Sequence, residues 1–249
     1  MKGPLKKEIK TLFSTKESFK QKKISIQDFS LPKPIQRYFT YALEDQQKKI
    51  SYVRLKHKGV FRTNPKQDWK QINGQEYFNI RKPGFLWFGK VPLFSAIDKY
   101  INGKGNLKVK LFSLIKIIDE KGDKIDQSEL LRFLGEAPWY PTALLPSKQV
   151  IWESIDTNSA KIIFTDHNMT VTGIFQVNSK GQIIRFQAKR YYQDALQKWT
   201  GTYTDYRSVN GINIPFSVKV TWNLPTGDYT YAKFDLNKIE YDNPNPYLK

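Results

Sequence analysis

A chain of 249 residues with 39% hydrophobic and 14% aromatic side chains carries enough apolar mass for a sizeable core, which excludes wholesale disorder. It has no cysteine, which excludes disulfides, a thiol nucleophile and a cysteine-type zinc site, and no run of about 18 apolar residues that would span a membrane as a helix. The net charge of +18 is concentrated at the start: residues 1–58 hold 15 Lys/Arg against 5 Asp/Glu, which suits an anionic partner such as a phospholipid surface or nucleic acid, or simple solubility.

The opening MKGPLKKEIK is basic but is not followed by the apolar segment of a secretory signal. With the lack of cysteine, this fits a protein of the cytoplasm or one peripheral to a membrane, and equally a cysteine-free protein of the cell envelope. Residues 5–23 are predicted as a basic helix, with Leu5, Ile9, Leu12, Phe13 and Phe19 at roughly helical spacing, packed on the domain or lying on a membrane surface. A second helix starts at Ser30 and the prolines of SLPKPIQRYFTYAL, with Ile35, Tyr38, Phe39 and Ala42 on one face.

From residue 50 the apolar period changes to two. In ISYVRLKHKGVFR, Val53, Leu55, His57 and Phe61 share a face opposite Arg54, Lys56, Lys58 and Arg62. QEYFNI, FLWFGKV, SAIDKYI and GNLKVKLFSLIKI read as four further strands. DQSELLRFLGEA is the one internal helix, with Asp126 and Glu129 spaced as a capping box and Leu130, Leu131, Phe133 and Leu134 as its apolar stripe. The segment EAPWYPTALLPS that follows is too apolar for a solvated loop and too broken by proline for a helix.

Seven more strands run from VIWESID to DYTYAKFDLNKIEY, joined by the short breaks DHN, NSKG, VNG and PTGD, so they form an antiparallel meander. Roughly eleven or twelve strands exceed what a flat sheet carries, and strong curling is expected. The predicted fold is therefore mainly β (α+β): a large curled antiparallel sheet or partly open barrel with N-terminal helices and one inserted helix-plus-loop plug. Residues 1–30 are read as the basic helical segment and 31–249 as one sheet domain. Trp139, Tyr140, Leu144 and Leu145 of the plug are expected to seal one mouth of the sheet.

The words RYFTYAL (37–43), PGFLWFGKV (83–91), IDKYINGKG (97–105), IDQSELLRFLGEAPWYPTALLP (125–146) and VIWESIDTNSA (150–160) fall in one order. With GQIIRFQAKRY, KWTGTYTDYRSVNGINIP and a closing strand pair holding Trp222, the series resembles an uncharacterised bacterial family of unknown function over about residues 31–241. The resemblance implies no reaction. It implies a membrane segment ahead of the basic helix in many relatives, and this sequence contains none. The layout is also similar to the lipoprotein carriers of the bacterial envelope (LolA/LolB-like), which implies a curled sheet holding acyl chains under a helical lid.

The usual catalytic sets are missing. His57 and His167 belong to no metal-ligand spacing, there is no G-x-S-x-G elbow or phosphate loop, and no metal or cofactor is expected. His57 is read as a core or lining residue, and His167 as a solvated turn residue. Three charges fall on apolar strand faces: Arg190 with Ile184, Phe186 and Ala188; Asp205 with Trp199, Gly201 and Tyr203; and Asp98 with Ala96 and Tyr100. A buried charge must find a partner, so Arg190 is expected either to pair with Asp205 between strands or to stand with Asp98 or Asp205 at the polar end of an apolar pocket. In the pocket it would hold a headgroup, carboxylate or phosphate. Arg132 and Glu136 can pair along the internal helix, as a solvated pair or at the mouth of the cavity. The candidate ligand-binding set is then Asp98, Tyr100, Arg132 and Glu136; Trp139, Tyr140, Arg190 and Trp199; and Tyr203, Asp205 and Trp222.

Three functions are carried forward. The first is a non-enzymatic binding or carrier module for an apolar or amphipathic, lipid-like small molecule, with an anionic membrane surface as second partner. The second is an enzyme of unassigned reaction class using the Arg190, Asp98 and Asp205 groups. The third, nucleic-acid binding through the basic surface, is disfavoured because the lysines alternate outward along many strands and do not cluster on one.

Overall fold

The computed structural model describes residues 2–14, 23–44 and 47–247. Its frame is a single thirteen-stranded antiparallel sheet that curls into a half-barrel. The strands are β1 (Tyr52–Phe61), β2 (Lys70–Asn79), β3 (Gly84–Val91), β4 (Phe94–Ile101), β5 (Lys104–Leu111), β6 (Ile115–Glu120), β7 (Val150–Ser154), β8 (Ser159–Asp166), β9 (Met169–Val177), β10 (Ile183–Tyr192), β11 (Ala195–Val209), β12 (Ile212–Leu224) and β13 (Gly227–Tyr241). Their spatial order is β6-β5-β4-β3-β2-β1-β13-β12-β11-β10-β9-β8-β7. Two meanders of six and seven strands are thus joined where β1 pairs with β13. The predicted tight turns are present, with the left-handed backbone that β-hairpins require supplied by Asn102-Gly103 and Asn210-Gly211.

Among the described residues three α-helices complete the layout: α1 (Lys2–Phe13), α2 (Lys33–Ala42) and α3 (Asp123–Glu136). Ile35, Tyr38, Phe39 and Ala42 of α2 are all buried, as their spacing predicts. The predicted N-terminal helix ends at Phe13, and its extension through Phe19 falls outside the described residues. Leu5, Ile9 and Leu12 pack on the convex face of the sheet against Tyr77, Leu86 and Phe88. This explains why QEYFNI and FLWFGKV read as nearly continuous apolar runs: both faces of β2 and β3 are covered, so period-two patterning is lost.

α3 crosses the concave face, touching β3, β4 and β5 on one arm and β9 and β10 on the other. It begins three residues before the predicted start, with Gly122 at its cap. The capping box is therefore a misreading. Asp126 lies inside the helix, and its carboxylate accepts from Gly105 N (2.7 Å) and Lys104 Nζ (2.7 Å) across the gap to β5. After α3 come two 3-10 turns, Ala137–Trp139 and Pro141–Leu144, in which Trp139, Tyr140, Leu144 and the following Leu145 are buried. Trp139 Nε1 donates to Pro215 O (3.0 Å) and Tyr140 donates to Phe133 O, so the proline-broken segment satisfies its polar atoms inside the core.

A second correction concerns GNLKVKLFSLIKI, which is two strands and not one. Phe112 and Ser113 take positive φ and turn the chain between β5 and β6, placing Lys110 opposite Lys116. Alternation alone could not show this, because Leu111, Leu114, Ile115 and Ile117 keep the run apolar through the turn.

Candidate functional site

The hollow of the half-barrel is a cavity of about 770 Å³. Its origin lies in the register. Gly201, Val220 and Ala232 are paired neighbours across β11, β12 and β13, and Gly89, Ala96 and Val109 are paired neighbours across β3, β4 and β5. Paired residues of an antiparallel ladder point to one side, so each row is a strip of small side chains on the concave face, and both rows line the cavity. Aromatic residues frame the strips: Trp87, Trp139, Trp199, Tyr203, Trp222 and Tyr229 all contribute to the wall. The rings lie against glycines. A Cβ on Gly89 would sit 2.2 Å from the Trp87 ring, and one on Gly135 would sit 3.1 Å from the Trp199 ring.

One end of this apolar hollow is strongly polar. Glu76, Trp87 and Asp98 are register partners on β2, β3 and β4. Facing them, α3 presents Glu129, Arg132 and Glu136, whose spacing of three and four residues places them on one stripe. Arg132 donates from Nε to Glu136 (2.9 Å), from Nη1 to Asp98 (2.6 Å) and from Nη2 to Glu76 (2.8 Å). Its guanidinium also lies over the rings of Phe85 (4.8 Å) and Trp87 (5.3 Å). From the other arm, Arg190 donates to Glu129 (3.0 Å) and to Ser128 O (3.1 Å), and lies over Trp199 (5.1 Å) and Trp222 (5.9 Å).

Four carboxyls therefore meet two guanidiniums. Taken as carboxylates, Asp98 Oδ1, Glu129 Oε2 and Glu136 Oε2 are buried without a donor. Two protons resolve the imbalance. Burial pushes the Glu129 carboxyl up to about 8, aided by the Asp98 charge, against the pull of Arg190, and Glu129 hydrogen-bonds to Asp98. Burial likewise holds Glu76 well above the usual carboxyl range, and it hydrogen-bonds to Glu136. With Glu76 and Glu129 protonated, every carboxyl pair shares one hydrogen bond and the cluster is neutral.

Beside it, His57 accepts from Trp87 Nε1 at Nε2 (2.7 Å). Burial, reinforced by the Arg132 charge, lowers its pKa to about 3, so the ring is neutral. A Cβ on Gly74 would lie 2.1 Å from His57 Nε2, so only glycine leaves room for the ring.

These shifts have opposite consequences for stability. The folded chain keeps the Glu129 proton until about pH 8, whereas the unfolded chain releases it near 4.5, so this group loses stability as pH rises between those values. His57, held neutral, contributes stability that is present above 6.5 and lost as pH falls toward 3. Of the two, only Glu129 acts between pH 6.5 and 8, where it alone lowers stability by about 1–2 kcal/mol, and Glu76, also held protonated, adds to the fall. Urea unfolding at the two pH values measures this. Glu129→Gln should lessen the slope, and a flat wild-type profile would dismiss the shared protons.

Of the residues singled out from sequence, Asp98, Arg132, Glu136, Trp139, Arg190, Trp199, Tyr203 and Trp222 line the cavity together. Three stand elsewhere. Tyr100 donates to Asp166 (2.9 Å) in the core, and Tyr140 turns into the plug. Asp205 is the clearest error: it is exposed, pairs with Arg207 (2.6 Å) and never meets Arg190. Thr204 pairs with Ser217 and Tyr206 with Pro215, so the register runs on unshifted past Asp205, whose φ of 56° takes it out of the extended backbone that strand parity assumes. Arg132 and Glu136 are a buried pair, not a solvated one. His57 is in the core and His167 is exposed, as read.

Glu76 and Glu129 were missed. Glu76 shares parity with Ile72 and Phe78, the same signal that exposed Asp98, and Glu129 was absorbed by the false capping box. Among the described residues no group of His, Asp or Glu is placed to hold a metal ion.

A model of a family of unknown function, DUF6920, matches residues 29–241. No curated protein matches. Similar solved structures include a putative outer membrane lipoprotein-sorting protein domain from Vibrio parahaemolyticus, 8% identical, with a TM-score of 0.46 over 79% of this chain and 88% of that one. Another is a LolA superfamily protein from Nitrosomonas europaea, 11% identical, with a TM-score of 0.49 over 90% of this chain and 96% of that one.

Proposed function

The chain belongs to DUF6920, a family of unknown function, and from that premise we propose that it is a non-enzymatic binding or carrier module for an apolar or amphipathic, lipid-like small molecule. The observation that carries this reading is the cavity itself. Its volume lies within the ordinary range for small-molecule sites of about 300–1,000 Å³, its wall is mostly apolar and aromatic, and its polar groups gather at one end. That layout suits a molecule with a hydrocarbon part and a single polar head.

An anionic membrane surface is the proposed second partner. Leu93, in the turn after β3, and Phe112, in the turn after β5, are exposed and joined by a backbone hydrogen bond (2.6 Å). Leu114, Ile115 and Ile117 extend this apolar rim, and Ile117 also lines the cavity. Lys90, Lys110 and Lys116 stand beside it on β3, β5 and β6. Exposed apolar tips set among lysines at a cavity mouth suit transfer of a molecule between hollow and bilayer. No helix among the described residues is long and apolar enough to cross a membrane.

Native mass spectrometry of detergent-free protein, with displacement of a fluorescent fatty-chain probe, tests the reading. The expected result is a co-purifying amphipathic molecule that competes with the probe. Protein that arrives empty and binds neither the probe nor anionic vesicles would end it.

A further inference from the structure

We propose that the head of the bound molecule is cationic, an alkylammonium group seated between Asp98 and Glu129. This rests on the cavity reading and narrows it to a class of ligand. The sequence left Arg190 either paired with Asp205 or holding a headgroup, carboxylate or phosphate, whereas in the structure it is engaged by Glu129 and Ser128 O.

An anion entering the polar end would find neither guanidinium waiting. Arg132 is engaged by three carboxyls through three of its nitrogens, and Arg190 by Glu129 and a helix carbonyl. It would also approach four carboxyl groups, whose balance with the two arginines already depends on two of them being protonated. What the end offers in surplus is acceptors. Asp98 Oδ1 and Glu129 Oε2 belong to cavity-lining residues only 7% and 3% exposed, and neither oxygen has a donor when both groups are ionised.

Every charged group facing this point can be named. Glu76 comes from β2, Asp98 from β4, Glu129, Arg132 and Glu136 from α3, and Arg190 from β10, while His57 on β1 is neutral. Exposed Glu120 on β6 is in register with Leu107, the partner of Asp98, and adds a further carboxyl to the same row, while the remaining charged lining residues are the half-buried Arg62 and the exposed Lys70.

An ammonium group carries three N–H donors and one positive charge. Placed between Asp98 and Glu129 it supplies the missing hydrogen bonds and takes over the charge balance from the shared proton, which leaves to solvent. One proton is released for each alkylammonium bound, and atoms and charge balance.

The test compares 1-dodecylamine, 1-dodecanol and dodecanoate, each below its micelle concentration, on the full chain at pH 7. Affinity is followed by tryptophan fluorescence, and proton release by calorimetry in phosphate and Tris buffers. The amine is expected to bind about tenfold more tightly than the alcohol, as one charge-assisted hydrogen bond provides, with dodecanoate weakest. About one proton should leave with each amine bound. Glu129→Gln should remove most of the amine's advantage, read as the ratio of the amine's affinity to dodecanol's on the same variant. If that variant does not fold, the proton count on the wild type decides alone. Equal binding of all three, preference for dodecanoate, or amine binding without proton release overturns the cationic assignment and leaves the cavity reading standing. Failure of all three to bind overturns both.

Discussion

Replacing Arg132 by alanine is expected to lower stability by about 3–5 kcal/mol. Arg132 is the common donor to Glu76, Asp98 and Glu136, arriving from two strands and from its own helix. Without it three carboxyls remain buried beside one another, and the guanidinium stacked on Phe85 and Trp87 leaves a gap. Arg132→Lys keeps the charge but not the planar fork, and should cost about half as much. Acid should partly rescue the alanine variant, because protonated carboxyls no longer repel. Denaturant unfolding at pH 5.5 and 8 measures all three. A loss below about 1 kcal/mol for the alanine variant would show that the cluster is not the keystone of α3 packing.

Val220→Trp is expected to abolish binding of aliphatic chains, a loss of at least about a hundredfold, while leaving stability unchanged or raised by about 0.5–2 kcal/mol. Val220 lies on the cavity wall between Gly201 and Ala232, so an indole placed there enters open volume and meets little opposition from its neighbours. The two outcomes belong together. Loss of binding with loss of stability would mean only that the sheet was damaged, and retained binding would place the ligand elsewhere. Probe titration and a thermal melt on the same preparation separate these cases.

Most of the sheet was legible because it is a meander: each turn lies between its two strands, and the breaks at His167, Asn210 and Pro225 announce themselves. The pairing of β1 with β13, which unites the two arms, has no local signature. The site was half legible. Parity exposed Asp98 and Arg190, since charges on apolar faces are expensive and therefore informative. It failed at Asp205 because a single residue of left-handed backbone breaks the alternation and leaves composition unchanged, though Pro215 on the facing strand is a clue that the ladder there is interrupted. It missed Glu129 because a helical carboxylate near an N-terminus has a ready solvated explanation. The strips of small residues were invisible for another reason. Gly89, Ala96 and Val109 are scattered along the chain and become a row only once the register is known.

Those strips have a consequence for what the molecule can hold. A void left between loops adapts to its guest, but this one is bounded by continuous interstrand ladders that keep opposite walls apart whether or not anything lies between them. Its depth is then a fixed gauge. Under the proposed carrier role, tails that match it would be accepted, shorter ones would leave unfilled space behind them, and longer ones would protrude past the lysine-flanked lip.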